Sequence, residues 1–417
     1  MKTDSTFIQI IHPVCCGLDV HKQKISACLL TIDEEGKEQC EIREFGAFTN
    51  NLIEMKEWLL DNDCPIVALE STGVYWRAVH NVLEGFMEVI LVNAGHVKNV
   101  PGRKTDIADS KWLAGLLKHG LLKGSFIPAK AIRQWRELTR LRRTYTESLA
   151  DYKRRVHKLF ETANIKIDSV VSDLFGVTGR NLISLLSKES EPGKADIMEC
   201  ARGCLKKKTD ELYRSINGFF EAHHRFQLIG MMKTIELFEN QVSEITGRLE
   251  SLTAKHQDLL NRLDEIPGID KKSAQSIVSE IGVTLDEFPC MESLASWAGL
   301  CPGNNESGGK RKSGRPSVKN HPFKTILIEV AWAAVKKKGS YYRGKYFRLK
   351  ARRGAKKAIV AIAHRISKAI YNIIKNGAVF EDLGEGYLTT RARQKAIESI
   401  KKRAAQLGYV VVPCLAD

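Results

Sequence analysis

The sequence predicts a mixed α/β domain followed by a long helical region. Strand and helix patterns alternate from residue 14 to about 125. Apolar residues then recur at three- and four-residue steps from Ile132 onward. A third observation, basic charge gathered in the last third of the chain, points to a polyanionic partner.

The elements follow in order. Residues 14–20 read as a buried strand, 25–32 as a second, and Asp33 to Gly36 as the turn between it and a third near 41–48. Residues 51–60 read as a helix and 66–70 as an apolar strand. Ser71, Thr72 and Gly73 are expected to cap a helix running to about Leu83. A strand at 89–92 and a helix from Asp106 to about His119 complete a mixed sheet with helices around it.

From Ile132 the pattern is helical, with Trp135, Leu138, Leu141, Tyr145, Leu149, Tyr152, Val156 and Leu159 on the apolar stripe. Arg133, Arg136, Arg140, Arg142, Arg143, Arg154 and Arg155 occupy the other faces. A break is expected around 191–194. A stricter repeat follows: Ile235, Phe238, Val242, Ile245, Leu249, Leu252, His256, Leu259 and Leu263. Its alternating steps are those of a heptad seam, which predicts a coiled coil between copies of the chain; the alternative is a helix packed within one chain. Ile266-Pro267-Gly268-Ile269 opens a segment to Gly282 resembling a helix-hairpin-helix, whose hairpin amides either contact phosphate or simply pack. Helices at 325–335 and 356–374 flank a basic, aromatic connection, 336–350.

The chain has 417 residues, 43% of them hydrophobic, enough for two or three domains with cores of their own. No stretch approaches the roughly 18 to 20 apolar residues of a membrane span, and Met1-Lys2-Thr3-Asp4-Ser5 lacks the apolar segment of a secretory signal. A cytoplasmic protein is the expectation. The ten cysteines show no metal-binding spacing and read as reduced, mostly buried thiols. The net charge is +16; between Glu306 and Lys375 there are 20 Lys or Arg against two acids, Glu306 and Glu329. Such clustering favours nucleic acid over a merely solvated basic surface.

Four carboxylates stand out. Asp19 and Glu70 sit at the ends of apolar strands, where a carboxylate is costly to desolvate unless paired or metal-bound. Asp106 and Asp109, three apart, share one helix face. Taken singly, each has a structural explanation as a turn former, a strand end or a helix-capping residue. Taken together, strands side by side and a helix across the sheet end would gather four hard oxygen ligands suited to Mg²⁺ or Mn²⁺. Two such ions can clamp the attacking and leaving oxygens of a phosphoryl transfer.

Downstream, Trp297-Ala298-Gly299-Leu300-Cys301-Pro302 precedes Ser307-Gly308-Gly309-Lys310-Arg311-Lys312. The glycines let the backbone approach a ligand, and Lys310, Arg311, Lys312 and Arg315 offer cations to phosphate. A hydroxyl there could attack a phosphodiester; alternatively, the serine belongs to a flexible basic loop. Ser313 and Ser317 lie nearby, so chemistry alone leaves the nucleophile open.

A strand-end Asp, a strand-end Glu and an Asp-x-x-Asp helix resemble the RuvC branch of the RNase H-like fold. With the helical connector and the Ala-Gly-Leu-x-Pro and Ser-Gly-Gly-Lys segments, residues 12 to about 380 resemble the DEDD transposases of bacterial insertion sequences, family one hundred and ten. This family includes bridge-RNA-guided recombinases and DNA invertases. The resemblance implies four divisions: a RuvC-like DEDD domain at 12–125, a helical and coiled-coil connector at 130–265, a transposase domain with the serine segment at 266–380, and a tail at 381–417. It further implies Asp19, Glu70, Asp106 and Asp109 as ligands of Mg²⁺ or Mn²⁺ and Ser307 as nucleophile.

The implied partners are DNA, a structured guide RNA and further copies of the chain, a dimer assembling to a tetramer, with the acids and the serine drawn from different protomers. The implied setting is the bacterial cytoplasm, acting at the nucleoid. Candidate nucleic-acid contacts are Lys310, Arg311, Lys312, Arg315, Arg143, Arg154, Arg155, Lys336, Arg343, Arg348, Arg352 and Arg353. Tyr341, Tyr342, Tyr346 and Phe347 could stack on unpaired bases or be core. The chain is long for the family, with extra helical sequence near 165–230. The competing readings are a metal-dependent junction-resolving nuclease that uses water, and a non-catalytic nucleic-acid-binding protein.

Overall fold

The computed structural model describes residues 9–33, 35–71, 73–93, 106–188, 192–301, 305–307, 310–313 and 321–412; within these, the side chains of 106–108, 305–307, 310–313, 391, 392 and 395 lie outside the description. The chain divides into two compact units, Met1–Ile127 and Pro128–Asp417.

In the first unit, β1 (Val14–Val20), β2 (Lys24–Ile32), β3 (Glu38–Gly46), β4 (Ile66–Glu70) and β5 (Glu88–Val92) form one sheet in the order β3-β2-β1-β4-β5. The β1–β2 and β2–β3 pairs are antiparallel, whereas β1–β4 and β4–β5 are parallel. Parallel neighbours need crossovers, supplied by α1 (Thr49–Asp61) and α2 (Trp76–Leu83). The third helix is α3 (Asp106–Lys118).

Alternation along the central strands sorts their side chains into two cores. Cys16, Leu18, Val67 and Leu69 pack with Met55, Trp58 and Leu59 of α1 and with Val79 and Leu83 of α2. Cys15, Ile66 and Ala68 face the other way, with Ala114 and Leu117 of α3. The sheet is covered on both faces, which is why its inner strands read as continuous apolar runs.

One expected cap is absent. The second helix starts at Trp76, with Tyr75 at its N-cap and no side-chain cap. Ser71 instead donates its N–H to the Val92 carbonyl (2.8 Å), extending the β4–β5 pairing, and the turn follows at Gly73, φ +57°. Thr72 lies outside the described residues.

Among the described residues, the second unit is helical apart from one hairpin. Two long helices, α4 (Lys130–Thr162) and α8 (Ala222–Thr253), pack on each other, with Phe238 lying between Tyr145 and Tyr152 at 5.7 and 5.9 Å. Between them in sequence come α5 (Val177–Leu186), α6 (Lys194–Cys200) and α7 (Thr209–Ile216). Ile165, Ile167, Leu182, Ile183, Ile197 and Leu212 pack into one core with Val156 and Phe160 of α4 and Ile235 of α8.

The expected seam from Ile235 to Leu263 is broken by a 3-10 turn at Ala254–His256 and continues in α9 (Gln257–Asp264). Ile235, Ile245 and Leu249 are buried within the chain. The partner observed along α8 is therefore α4 of the same molecule.

The hairpin at Pro267-Gly268 leads to α10 (Lys271–Ile281), capped by Asp270, which accepts from Ser273 N at 2.8 Å. Gly268, at φ +88°, presses on α12 (Pro322–Ala334): a Cβ there would lie 2.4 Å from the Val330 carbonyl oxygen. A short helix, α11 (Met291–Trp297), lies between them in sequence.

The segment expected as a connection is largely a helix, α13 (Tyr341–Arg353), started by Ser340, whose Oγ accepts from Tyr342 N, and stopped at Gly354, φ +78°. Two further helices follow, α14 (Ala355–Asn376) and α15 (Tyr387–Gln406). No helix among the described residues is long and apolar enough to cross a membrane.

Candidate metal centre and serine hairpin

Asp19 is the penultimate residue of β1 and Glu70 the last of β4. The strands pair in parallel with Leu18 opposite Leu69, so the next residues, Asp19 and Glu70, are level at the same sheet end. Both fall on the face of Cys15, Ile66 and Ala68, which is the face that α3 covers. Asp19 is 14% exposed at its side chain, and its Oδ2 is 3.1 Å from His21 Nε2.

Gly17 sets the approach of α3. A Cβ at residue 17 would lie 2.1 Å from the Ser110 carbonyl oxygen and 2.5 Å from Ala114 N, so the helix backbone rests directly on β1. Ser110 Oγ is 3.4 Å from Ser26 Oγ, and Ser26 is the β2 residue opposite Asp19. The first turn of α3 therefore lies by the Asp19 end of the strand. Asp109, next to Ser110, is half-buried. Asp106 begins the helix; its side chain lies outside the described residues.

The structure thus brings Asp19 and Glu70 to one sheet end and Asp109 to the helix turn crossing it. Among the described residues, Asp19, Glu70 and Asp109 do not form a group with ligand atoms all within 4.8 Å; the group that does is Glu221, His223 and His224. That second cluster is an exposed cap of α8: Glu221 N donates to His224 Nδ1 (3.2 Å), and Glu221 Oε2 lies 3.3 Å from His223 Nδ1. A Glu-Ala-His-His run at a helix start is its signal in the sequence, one not among the expected site residues.

Carboxylates at one sheet end are hard oxygen donors, and their chemistry fits a divalent cation. Four buried cysteines hold their protons more tightly than free thiols do. Burial pushes the thiols of Cys15 and Cys28 up to about 12 and that of Cys64 to about 11, and raises Cys16 well above the ordinary range. These four are buried, but Cys40, Cys204 and Cys290 are exposed and Cys200 and Cys301 intermediate, so the expectation of mostly buried thiols is corrected.

Ser307 ends the strand β6 (Asn305–Ser307), paired antiparallel with β7 (Lys310–Ser313), and its pairing partner is Lys310. The serine therefore sits on a β-hairpin, not in a loop. The intervening Gly308 and Gly309, and Arg315 beyond, lie outside the described residues, as do the side chains of Ser307, Lys310, Arg311, Lys312 and Ser313.

The remaining basic candidates divide by their surroundings. Arg136 and Arg140 serve the fold: both reach Glu280, whose side chain is 2% exposed, at 3.5 and 2.8 Å. Arg142 is buried, donating to Gln275 Oε1 and the Lys272 carbonyl; burial pulls its pKa down. Arg143 is tied to Glu147 and Glu329 (2.8 and 2.7 Å); these carboxylates outweigh its burial and hold its pKa above the ordinary value.

Arg154 pairs with Asp151, and Arg155 lies over the Tyr152 ring. Arg343 lies over Phe347 and 3.7 Å from Glu385, and Arg348 donates to the Leu388 carbonyl. Lys336, Arg352 and Arg353 are exposed. Tyr342 and Tyr346 are 4% and 5% exposed, so they are core rather than stacking platforms, because the helix turns them inward; Phe347 is exposed and Tyr341 half-buried.

Comparisons with known proteins give the class to which the chain belongs. A DEDD transposase model of the IS110 type, described as a transposase, matches residues 16–165, and the model of the IS116/IS110/IS902 transposase family matches residues 260–347. The chain belongs to the IS110 family of transposases, enzymes that cut and rejoin DNA. A solved structure described as Thermus thermophilus RuvC aligns at 13% identity and a TM-score of 0.22, over 27% of this chain and 99% of its own. No curated protein matches the chain.

Proposed function

We propose that this transposase cuts DNA by forming a phosphoserine link at Ser307, with Asp19, Glu70, Asp106 and Asp109 holding divalent metal, Mg²⁺ or Mn²⁺. The observation that carries the reading is the register that sets Asp19 level with Glu70 beneath the first turn of α3. The sheet order, with β2 antiparallel to its neighbours, supports an RNase H-like first domain. Bound metal would supply charge stabilisation at the phosphoryl oxygens. Asp19 and Glu70 would fix its position from two strands, with Asp106 and Asp109 of α3 as its further ligands. Ser307 Oγ gives up its proton to solvent and attacks phosphorus; the Oγ–P bond forms, the P–O3′ bond breaks, and the departing 3′-oxygen takes up a proton from solvent. Attack by another strand's 3′-hydroxyl reverses these steps and rejoins DNA without ATP.

The proposal extends to partners. A structured RNA would be bound by shape and backbone while base pairing reads the sequence, and several copies of the chain would assemble, with acids and serine from different protomers. Lys336, Arg352 and Arg353 are exposed cations and would meet phosphate.

The test is a denaturing gel of full-length protein with Mg²⁺, RNA from the element's flanks and end-labelled junction DNA. Wild type is expected to carry labelled DNA, and Ser307→Ala and Asp19→Ala to lose it. Cleaved DNA with no attached protein, unaffected by Ser307→Ala, would make water the nucleophile and the enzyme a junction-type nuclease.

A further inference from the structure

We propose that His21 is a positioning residue for Asp19, holding the carboxylate in the orientation from which it ligates metal; this rests on the metal-site reading above. The connection between β1 and β2 is short, and His21 closes it: its backbone N–H donates to the Lys24 carbonyl at 2.9 Å. The Gln23 carbonyl accepts from Ala47 N at 3.1 Å, which ties the same turn to the end of β3. The backbone carrying the imidazole is thus fixed from two sides. From there Nε2 reaches Asp19 Oδ2 at 3.1 Å.

The side chains differ in exposure, 48% for His21 and 14% for Asp19, so the ring stands on the solvent side of the carboxylate. An aspartate has two soft torsions, and a donor fixed to Oδ2 restrains both. Groups that hold ligands in this way are known to change metal affinity by about 10- to 100-fold when removed. The bond requires a hydrogen on Nε2, which the Nε2–H tautomer and the imidazolium both have, so the role does not turn on the charge of the ring. His21 does not touch the reacting atoms in this account; it acts through Asp19.

The measurement is Mn²⁺ binding to the full chain, read by the loss of free-ion EPR signal, with thermal melting alongside. His21→Ala is expected to weaken Mn²⁺ binding about 10-fold. His21→Gln, whose amide donor extends about as far as Nε2, is expected to stay near wild type, and His21→Asn, which is too short, to behave like His21→Ala. Melting should not move, because His21 is half-exposed on a turn. Wild-type Mn²⁺ affinity in both His21→Ala and His21→Asn overturns the inference. If His21→Ala does not fold, Gln against Asn decides alone, and equal affinity in those two overturns it. Asp19→Ala separates the underlying reading: unchanged Mn²⁺ binding there removes Asp19 as a ligand and this role with it, whereas a loss there with none in the His21 variants removes only the role.

Discussion

The carbonyl oxygen of Ser110 lies 2.1 Å from where a Cβ on residue 17 would be. That contact lets α3 rest on β1 with no side chain between them, and it places the first turn of the helix by Asp19. Gly17→Ala would force two backbone segments apart, and neither can yield as a flexible side chain could. We expect a loss of about 3 kcal/mol in urea unfolding. Gly115→Ala, where nothing lies within 4 Å of the added Cβ, should instead stabilise by about 0.5 to 1 kcal/mol. Equal effects at the two positions would refute the packing argument.

Glu280 is expected to matter to stability rather than to nucleic-acid binding. Its side chain is 2% exposed and bonded bidentately by Arg140, with Arg136 beside it. Glu280→Ala strips both guanidinium groups of their carboxylate, at a cost of about 3 kcal/mol, the lower end for a buried pair because Arg140 stays 42% exposed. Denaturant unfolding of the variant would check this, and an unchanged midpoint would contradict it.

The first unit should lose stability in alkali. An unfolded chain gives up thiol protons near the ordinary value of 9.0, whereas burial keeps Cys15 and Cys28 protonated to about 12 and Cys64 to about 11. Between those limits the unfolded state binds fewer protons, so unfolding becomes easier as pH rises; below pH 9 the contribution is fully present. A melting series from pH 8 to 11 should fall more steeply in wild type than in Cys64→Ala. In the native protein at neutral pH, a maleimide should label Cys40, Cys204 and Cys290 first.

The basic third of the chain separates into surface and core. Arg352→Ala with Arg353→Ala should lower DNA affinity and reduce the salt-dependence slope by about two, with melting unchanged. Tyr346→Ala, at a site 5% exposed beside Trp332, should cost about 3 to 5 kcal/mol in stability. A Tyr346 variant that melts normally but binds DNA poorly would restore the stacking role the sequence suggested.

How far the sequence could be read depended on which physical signal each residue carried. The strands of the first unit were visible because both faces are covered, which makes Val14–Val20 and Ile66–Glu70 apolar runs with a carboxylate at the last position or the one before it. The partner of α8 was not visible: heptad spacing says that a helix has an apolar seam, not whose helix fills it, and here α4 does. The partners of Arg140 and Arg142 were not visible, because Glu280 and Gln275 are more than 130 residues away in sequence. Tyr342 and Tyr346 were ambiguous because aromatic residues serve both cores and bases. The β6–β7 hairpin escaped notice because its strands are short and polar, although Gly308-Gly309 between them is a hairpin signal.

The central claim is that one serine carries the DNA through a covalent step. The direct measurement is to digest the trapped DNA–protein adduct with nuclease and protease and locate the modified residue by mass spectrometry. The residual nucleotide is expected on the Oγ of Ser307, and to be absent when Asp19 is replaced by alanine. A modified Ser313 or Ser317 would move the nucleophile, and cleaved DNA with no modified peptide at all would contradict the serine mechanism outright.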